Sequence, residues 1–211
     1  MTVVALGFAF LIPLGASAST GEGEFFKEKI KGVEFEIPYE KSEVKVKKNG
    51  KGSFGTINVY DRETNELLDT FTVEDEQPLH KYAVNSISAY GTSLKNVSRT
   101  RYDNGLGSTL RSRLYMYSSG SFTQINGVSS TQWFASSGSH TLESDTGETV
   151  SSTGDFPTTR VNALGDATIQ IATSATVSGG WEAAGFSVGG SVSGESYYRK
   201  YIELGFSYSV Y

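Results

Sequence analysis

Apolar and polar residues alternate along most of this chain, so that every second side chain is hydrophobic. In Val33–Ile37 (VEFEI) three apolar side chains point one way and two glutamates the other. A period of two is typical of a β-strand with one buried face, because successive side chains leave opposite faces of a sheet. Glu43–Lys47, Gly55–Tyr60 and Leu67–Val73 repeat the pattern. These segments predict a small charged meander, and Asn49-Gly50 is expected to form its first hairpin turn.

The second half of the chain predicts further short strands separated by serine and glycine turns. In Thr109–Tyr117 leucine and methionine alternate with arginine and tyrosine. Shorter strand candidates, built from similar residue types, are Ser121–Ile125, Thr131–Ala135 and His140–Ser144. The polar stretch Asp145–Arg160 predicts a loop or an edge strand.

The C-terminal stretch has the clearest alternation. Thr168–Gly179 and Phe186–Ser193 each place apolar residues on one face and mainly serine or threonine on the other. We expect them to form a hairpin that turns at Gly179–Trp181. From Tyr198 to Val210 the apolar side chains keep to alternate positions, and therefore to one face, throughout. At about 3.3 Å per residue this stretch is either one strand of about 40 Å or two strands bent at Gly205.

These elements predict an all-β fold, an antiparallel β-sandwich or flattened barrel with a small N-terminal β-meander. The apolar run Val3–Leu14 is shorter than the roughly 20 residues of a membrane span and suits a signal peptide, with cleavage expected before Ser19. The acidic run Glu74–Glu76 predicts a linker or exposed corner, and Leu79–Ala83 is a short helix candidate. The expected organisation is a signal peptide at 1–18, the charged meander at 19–77 and a Ser/Thr/Gly-rich sandwich domain at 78–211.

Composition narrows the functions that the chain can have. It contains no cysteine, which excludes disulfides, thiol catalysis and thiolate metal sites. The formal net charge of −5 falls on residues 114–211, whereas residues 19–113 are heavily charged but balanced. Nucleic-acid binding needs a basic face against the phosphates. The sequence pattern indicates no such face, so nucleic acid is not an expected partner.

The sequence contains no recognisable catalytic set. The two histidines, His80 and His140, have no partner at metal-binding spacing, and serine is too abundant for a Ser-His-Asp set to carry a signal. The acidic run Glu143–Glu148 offers oxygens but lacks the alternating acids of a calcium loop. Isolated acids occur in the predicted C-terminal elements at Glu182, Glu195 and Glu203. We therefore predict a non-enzymatic protein with no catalytic residues, no metal and no cofactor.

Aromatic residues beside turns and on the polar face of the last strand are the candidates for ligand contact. Exposed rings can stack on sugars or lie at a membrane interface. The alternative is that these rings cover a second layer of core. The candidate contact residues are Trp133, Trp181, Tyr197, Tyr201 and Tyr211.

Together these features predict a secreted, non-enzymatic protein that engages a target cell envelope or membrane, in the manner of a bacteriocin or small toxin. The alternative is a carbohydrate-binding or adhesive cell-surface module, whose aromatic rings stack on a glycan. A third hypothesis is a structural β protein that self-associates, and a fourth is a hydrolase.

Export gives the first testable prediction. If the leader is a signal peptide, expression in a host with a matching export pathway should release protein whose first residue is Ser19. Amino-terminal sequencing of the released protein measures this directly. Recovery of the chain only in membranes, with Val3–Leu14 still attached, would contradict the prediction.

Overall fold

The chain forms two antiparallel β-sheets. A computed structural model describes residues 25–76, 92–172, 180–192 and 195–211. The predicted signal peptide at 1–18, the cleavage site before Ser19 and the helix candidate Leu79–Ala83 lie outside these residues. In chain order the strands are β1 (Phe26–Ile30), β2 (Val33–Ile37), β3 (Val44–Lys51), β4 (Phe54–Asp61), β5 (Leu67–Glu76), β6 (Thr92–Asp103), β7 (Leu106–Ser119), β8 (Phe122–Ser137), β9 (Thr141–Ser151), β10 (Arg160–Ala172), β11 (Ser187–Val192) and β12 (Glu195–Val210).

The strands divide into sheet A and sheet B, which pack face to face. Sheet A has the order β1-β2-β12-β10-β9, with β11 also paired to β12, and sheet B has the order β3-β4-β5-β6-β7-β8. The predicted all-β antiparallel sandwich is therefore confirmed. Each sheet takes strands from both predicted parts, 19–77 and 78–211. The boundary between those parts stays a prediction.

The period-two patterns become the buried faces of the two sheets. Val33, Phe35 and Ile37 of β2 are completely buried. The ring of Phe35 lies 5.1 Å from that of Phe71 in sheet B and 6.0 Å from that of Tyr208 in sheet A, measured between centroids. The apolar positions predicted in Thr109–Tyr117 are also buried, at Leu110, Leu114 and Met116. Alternation thus identified which side chains form the core.

The C-terminal stretch is one strand. Gly205 lies opposite Leu164 within an unbroken register of thirteen residue pairs between β10 and β12, so the chain does not divide there. The predicted hairpin between Thr168–Gly179 and Phe186–Ser193 is wrong. β10 lies between β9 and β12, and β11 pairs with β12 instead. β12 is sixteen residues long and pairs through its backbone with β10 along one edge and with β11 along the other. Residues 173–179 lie outside the described part.

The first hairpin turn lies three residues beyond its predicted place at Asn49-Gly50. β3 continues to Lys51, and the turn is Gly52-Ser53, with a φ of +56° at Gly52. This register sets Val46 opposite Val59. A turn at Asn49-Gly50 would set Val46 opposite Ser53 and lose that apolar cross-strand pair.

The predicted linker at Glu74–Glu76 is also wrong, because these acids belong to β5. Asp75 forms an ion pair with Lys95 on β6. Glu76 accepts a hydrogen bond from Arg113 Nη2 at 2.6 Å. Cations on β6 and β7 thus let an acidic run continue the sheet.

Two predictions in the second half need adjustment. Apart from Ser121, which lies in the turn before it, Ser121–Ile125 and Thr131–Ala135 belong to the single strand β8, whose register shifts absorb the residues that suggested a turn. In Asp145–Arg160, the first seven residues extend β9, which is an edge strand of sheet A. The predicted edge strand is therefore confirmed for residues 145–151.

A buried ion pair joins the two sheets. Asp69 on β5 is completely buried, and Arg99 on β6 is 7% exposed. The guanidinium donates to both carboxylate oxygens, Nε to Oδ1 at 3.0 Å and Nη2 to Oδ2 at 2.7 Å. Its Nη1 donates to the carbonyl of Gly205 in sheet A at 2.6 Å. The hydroxyl of Tyr39 donates to Asp69 as well, and burial together with the Asp69 charge raises the pKa of Tyr39, which keeps it a donor.

Removing the charge of Asp69 should destabilise the fold strongly. Asp69→Asn leaves the Arg99 cation buried without a counter-charge, and we expect the free energy of unfolding to fall by about 3–5 kcal/mol. Glu36→Gln is the matched control, because it breaks the more exposed pair with Arg160 and should change stability by less than about 1 kcal/mol. Urea unfolding measures both, and equal effects of the two substitutions would contradict the role given to Asp69.

Candidate functional site

The outer face of sheet A carries a shallow depression over its middle strands. Val161, Ala163 and Ala167 of β10 turn into the core, so Leu164 turns outward and is 49% exposed. Gly205, directly opposite on β12, has no side chain to fill the space. The depression has a volume of about 630 Å³. We call it the outer groove; its lining residues are Thr146, Gly147, Glu148, Leu164, Gly165, Asp166, Glu203, Leu204 and Gly205.

Three carboxylates line the outer groove. Asp166 lies directly opposite Glu203, and Glu148 lies directly opposite Leu164. Within the described residues, no lysine or arginine forms an ion pair with any of the three. Like charges directly opposite each other on a sheet lower its stability. The hydroxyl of Thr146 donates to Asp166 Oδ1 at 2.5 Å, which offsets part of the repulsion between Asp166 and Glu203.

Tyr201 stands beside these carboxylates. It is 60% exposed and lies two residues from Glu203 on the same face of β12. Its hydroxyl donates a hydrogen bond to Glu203 Oε1 at 3.1 Å. Desolvation, this hydrogen bond and the negative charges of Asp166 and Glu203 hold the pKa of Tyr201 above its ordinary value. The groove thus combines an exposed flat ring with several hydrogen-bond acceptors.

A second depression, of about 410 Å³, continues the outer groove towards the start of β1. It shares Leu164 and Gly205 with the first and is also lined by Phe25 and Pro38. Phe25 is 62% exposed. The two depressions together form an elongated surface with an exposed aromatic ring near each end.

The five predicted contact residues do not lie together. Trp133 and Trp181 are each only 7% exposed. The indole of Trp133 donates to the carbonyl of Thr146 at 2.7 Å. That of Trp181 packs edge-on against Phe186, with 5.0 Å between ring centroids. In this conformation neither indole is available to a surface ligand, and their burial supports the alternative of a core role.

The three predicted tyrosines leave the outer face of β12 at widely spaced points. Tyr201 lies at the outer groove. Tyr211, at the end of the chain, donates its hydroxyl to Glu34 Oε1 at 3.0 Å. Tyr197, near the other end of β12, lies with its ring centroid 5.7 Å from the guanidinium carbon of Arg199. Tyr201 is the one exposed predicted residue beside the groove, whereas the buried indole of Trp133 lies beneath it and is bonded to the lining residue Thr146.

Leu164, Asp166 and Gly205 are groove residues that the sequence analysis missed. Extending the alternation of β10 back to Arg160 would have marked Leu164 and Asp166 as outward-facing. The position of Gly205 beside them depends on the register between β10 and β12, and no local pattern contains that register.

In the described part of the chain, His140 and Ser108 make the one contact between a histidine and a hydroxyl that resembles a catalytic pair. The distance from Ser108 Oγ to His140 Nε2 is 3.3 Å. Ser108 is completely buried, so a substrate cannot reach its hydroxyl in this conformation. Within the described ranges, no group of three or more histidine, aspartate or glutamate side chains is placed to hold a metal, the run Glu143–Glu148 included.

Fold and groove together define an all-β sandwich with an open, acidic, aromatic-flanked surface. In the part of the chain that is described, no helix has the length and apolarity of a membrane span. No family model, curated protein or solved structure matches the chain. Its function is therefore inferred from its own geometry.

Acid should destabilise the fold through His140. Burial lowers the pKa of His140 below its ordinary value, so below that ordinary value, about 6.5, the unfolded chain binds more protons than the folded one. The free energy of unfolding should fall as pH drops through this range, and the loss is complete below the folded-state pKa. Urea unfolding between about pH 7 and pH 5 measures the slope.

His140→Gln is the matched variant, because glutamine is polar but does not titrate. Its free energy of unfolding should fall less over the same pH range than that of the parent. Parallel pH profiles for the two proteins would contradict the assignment.

Proposed function

We propose that the chain is a non-enzymatic binding protein that holds a glycan of the cell envelope in the outer groove. The observation that carries this proposal is the placement of Tyr201 beside Asp166 and Glu203, groove carboxylates that form no ion pair with any lysine or arginine that the structure describes. A sugar presents an apolar face that can stack on a tyrosine ring. Its hydroxyl groups can donate to Asp166 and Glu203, and Leu164 supplies an apolar floor.

The elongated shape of the surface favours a chain of sugars over a compact ligand. Compact small molecules are usually enclosed in concave, mostly apolar pockets. Here the two depressions join at Leu164 and Gly205 and lie open on the sheet. Tyr201 and Phe25 then provide separate stacking rings for different units of one oligosaccharide.

Membrane engagement through the C-terminal strands has less support. β10 is paired on both sides, by β9 and β12. The apolar side chains Ile202, Leu204 and Phe206 of β12 are at most 5% exposed. Releasing these strands for insertion would dismantle the core of sheet A. Export to the envelope remains part of the proposal.

Tyr201→Ser should weaken glycan binding about tenfold, which corresponds to about 1.4 kcal/mol and is a typical loss for one aromatic contact. Asp166→Asn should weaken it as well, because the amide is a poorer acceptor than the carboxylate. The binding of cell-wall polysaccharide fragments, followed by calorimetry, measures both.

Tyr115→Ser is the matched control. Tyr115 is 45% exposed but lies on β7 in sheet B, away from the groove. Binding should be unchanged in this variant. If Tyr115→Ser and Tyr201→Ser weaken binding equally, or if the parent binds no glycan fragment, the proposal fails.

A further inference from the structure

The β9 side of the outer groove is held from below by a tryptophan of the other sheet. Trp133 lies on β8 in sheet B, is 7% exposed, and donates its indole N–H to the carbonyl of Thr146 at 2.7 Å. The hydroxyl of Thr146 in turn donates to Asp166 Oδ1 at 2.5 Å on the groove surface. Hydrogen bonds through a single residue, Thr146, therefore connect the core to one of the groove carboxylates.

A β-bulge in β9 lies directly before Thr146. Between Asp166 and Thr168 of β10 the register with β9 shifts by one residue, and Ser144 of β9 has a φ of +51°. Such a bulge bends its strand and re-aims the side chains beside it. A left-handed backbone is unfavourable for serine and persists only where the surrounding structure fixes it. The chain thus accepts local strain directly beside the groove wall.

Gly165 brings the indole of Trp133 close beneath the groove floor. A β-carbon at position 165 would lie 2.5 Å from the carbonyl oxygen of Thr146 and 2.8 Å from the indole nitrogen of Trp133. Both distances are too short for a real contact, so glycine is needed where β10 passes the hydrogen bond between these two residues. Gly165 also lines the groove. A single layer of backbone therefore separates the indole from a ligand in the groove.

The indole supplies a fixed point where the edge of sheet A is weakest. β9 is an edge strand that pairs with β10, and the bulge interrupts that pairing just before Thr146. Local opening of a sheet is easiest where backbone hydrogen bonds are few. The bond from Trp133 adds a contact with sheet B at this position. Without it, the orientation of Thr146 would depend on the ladder with β10 alone.

We infer that Trp133 is a positioning residue of the outer groove: acting through Thr146, it holds the Asp166 carboxylate in the orientation that receives a sugar hydroxyl. The inference rests on the proposed glycan binding and adds to it a residue that touches no ligand. Because Oδ1 of Asp166 accepts from Thr146, Oδ2 keeps more of its acceptor capacity for the glycan. A carboxylate that is oriented before the glycan arrives loses less freedom on binding, which strengthens the complex.

The orientation of Asp166 can be measured by NMR in the free protein. Three-bond couplings between its Hα and Hβ protons report whether the side chain occupies one rotamer or averages over several. The parent should show one rotamer, and Trp133→Phe and Thr146→Val, which each remove one donor, should show averaging. Thr146→Ser, which keeps a hydroxyl, should retain the single rotamer. Thr146 is exposed, so its variants test the connection even where the smaller ring at position 133 lowers stability.

Trp181→Phe is the matched control. It is the same substitution at a tryptophan that is also 7% exposed but packs against Phe186 outside the groove lining. The couplings of Asp166 should be unchanged in this variant. It also leaves Trp133 as the single tryptophan of the chain, so its fluorescence should respond to a glycan bound above Gly165.

Glycan binding tests the consequence of this orientation. Trp133→Phe and Thr146→Val should each weaken the binding of cell-wall polysaccharide fragments about threefold to tenfold, the usual effect of losing one hydrogen bond. Combined with Asp166→Ala, the same substitutions should change binding less than about twofold, because the carboxylate that they orient is absent. A merely structural role of Trp133 would give the same loss with and without Asp166→Ala.

Unchanged Asp166 couplings in both Trp133→Phe and Thr146→Val would overturn the inference, and so would equal losses of binding with and without Asp166→Ala. If the parent binds no fragment while the couplings follow the expected pattern, the glycan proposal fails and the positioning of Asp166 stands. If the parent binds and Trp133→Phe and Thr146→Val bind equally well, the positioning role fails and the glycan proposal stands.

Discussion

The guanidinium of Arg99 is the point at which the two sheets are held in position. A buried cation carries a large desolvation penalty, which is offset only when its counter-charge and its remaining donors are all satisfied. Asp69 takes two of its hydrogen bonds, and the carbonyl of Gly205 takes a third from the facing sheet. Because each bond requires a specific strand position, the pair fixes β5, β6 and β12 relative to one another. Gly205 is also the residue whose missing side chain opens the outer groove, so the core network and the proposed binding surface depend on the same position.

A second polar contact between the sheets lies at the end where β6 turns into β7. Lys200 of β12 donates to Asp103 Oδ1 at 2.7 Å and to the carbonyl of Ala184 at 3.0 Å. This places the segment that carries Trp181 and Phe186 over the end of the core. In a chain without cysteine, such satisfied charges substitute for covalent links in choosing one packing of two otherwise similar apolar faces. Apolar burial supplies most of the stability, whereas the polar contacts determine the register.

The sequence was sufficient for local properties of the fold and insufficient for pairings between distant residues. Alternation marks Val33, Phe35 and Ile37 as one face because the period of a strand is set by its own backbone. The turn at Gly52-Ser53 was missed because the contact between Val46 and Val59 outweighs the local preference of Asn49-Gly50. The burial of Trp133 was missed for a similar reason, since its partner is a carbonyl of another strand. The outer groove lies beyond sequence reasoning because it is a property of the β10–β12 register.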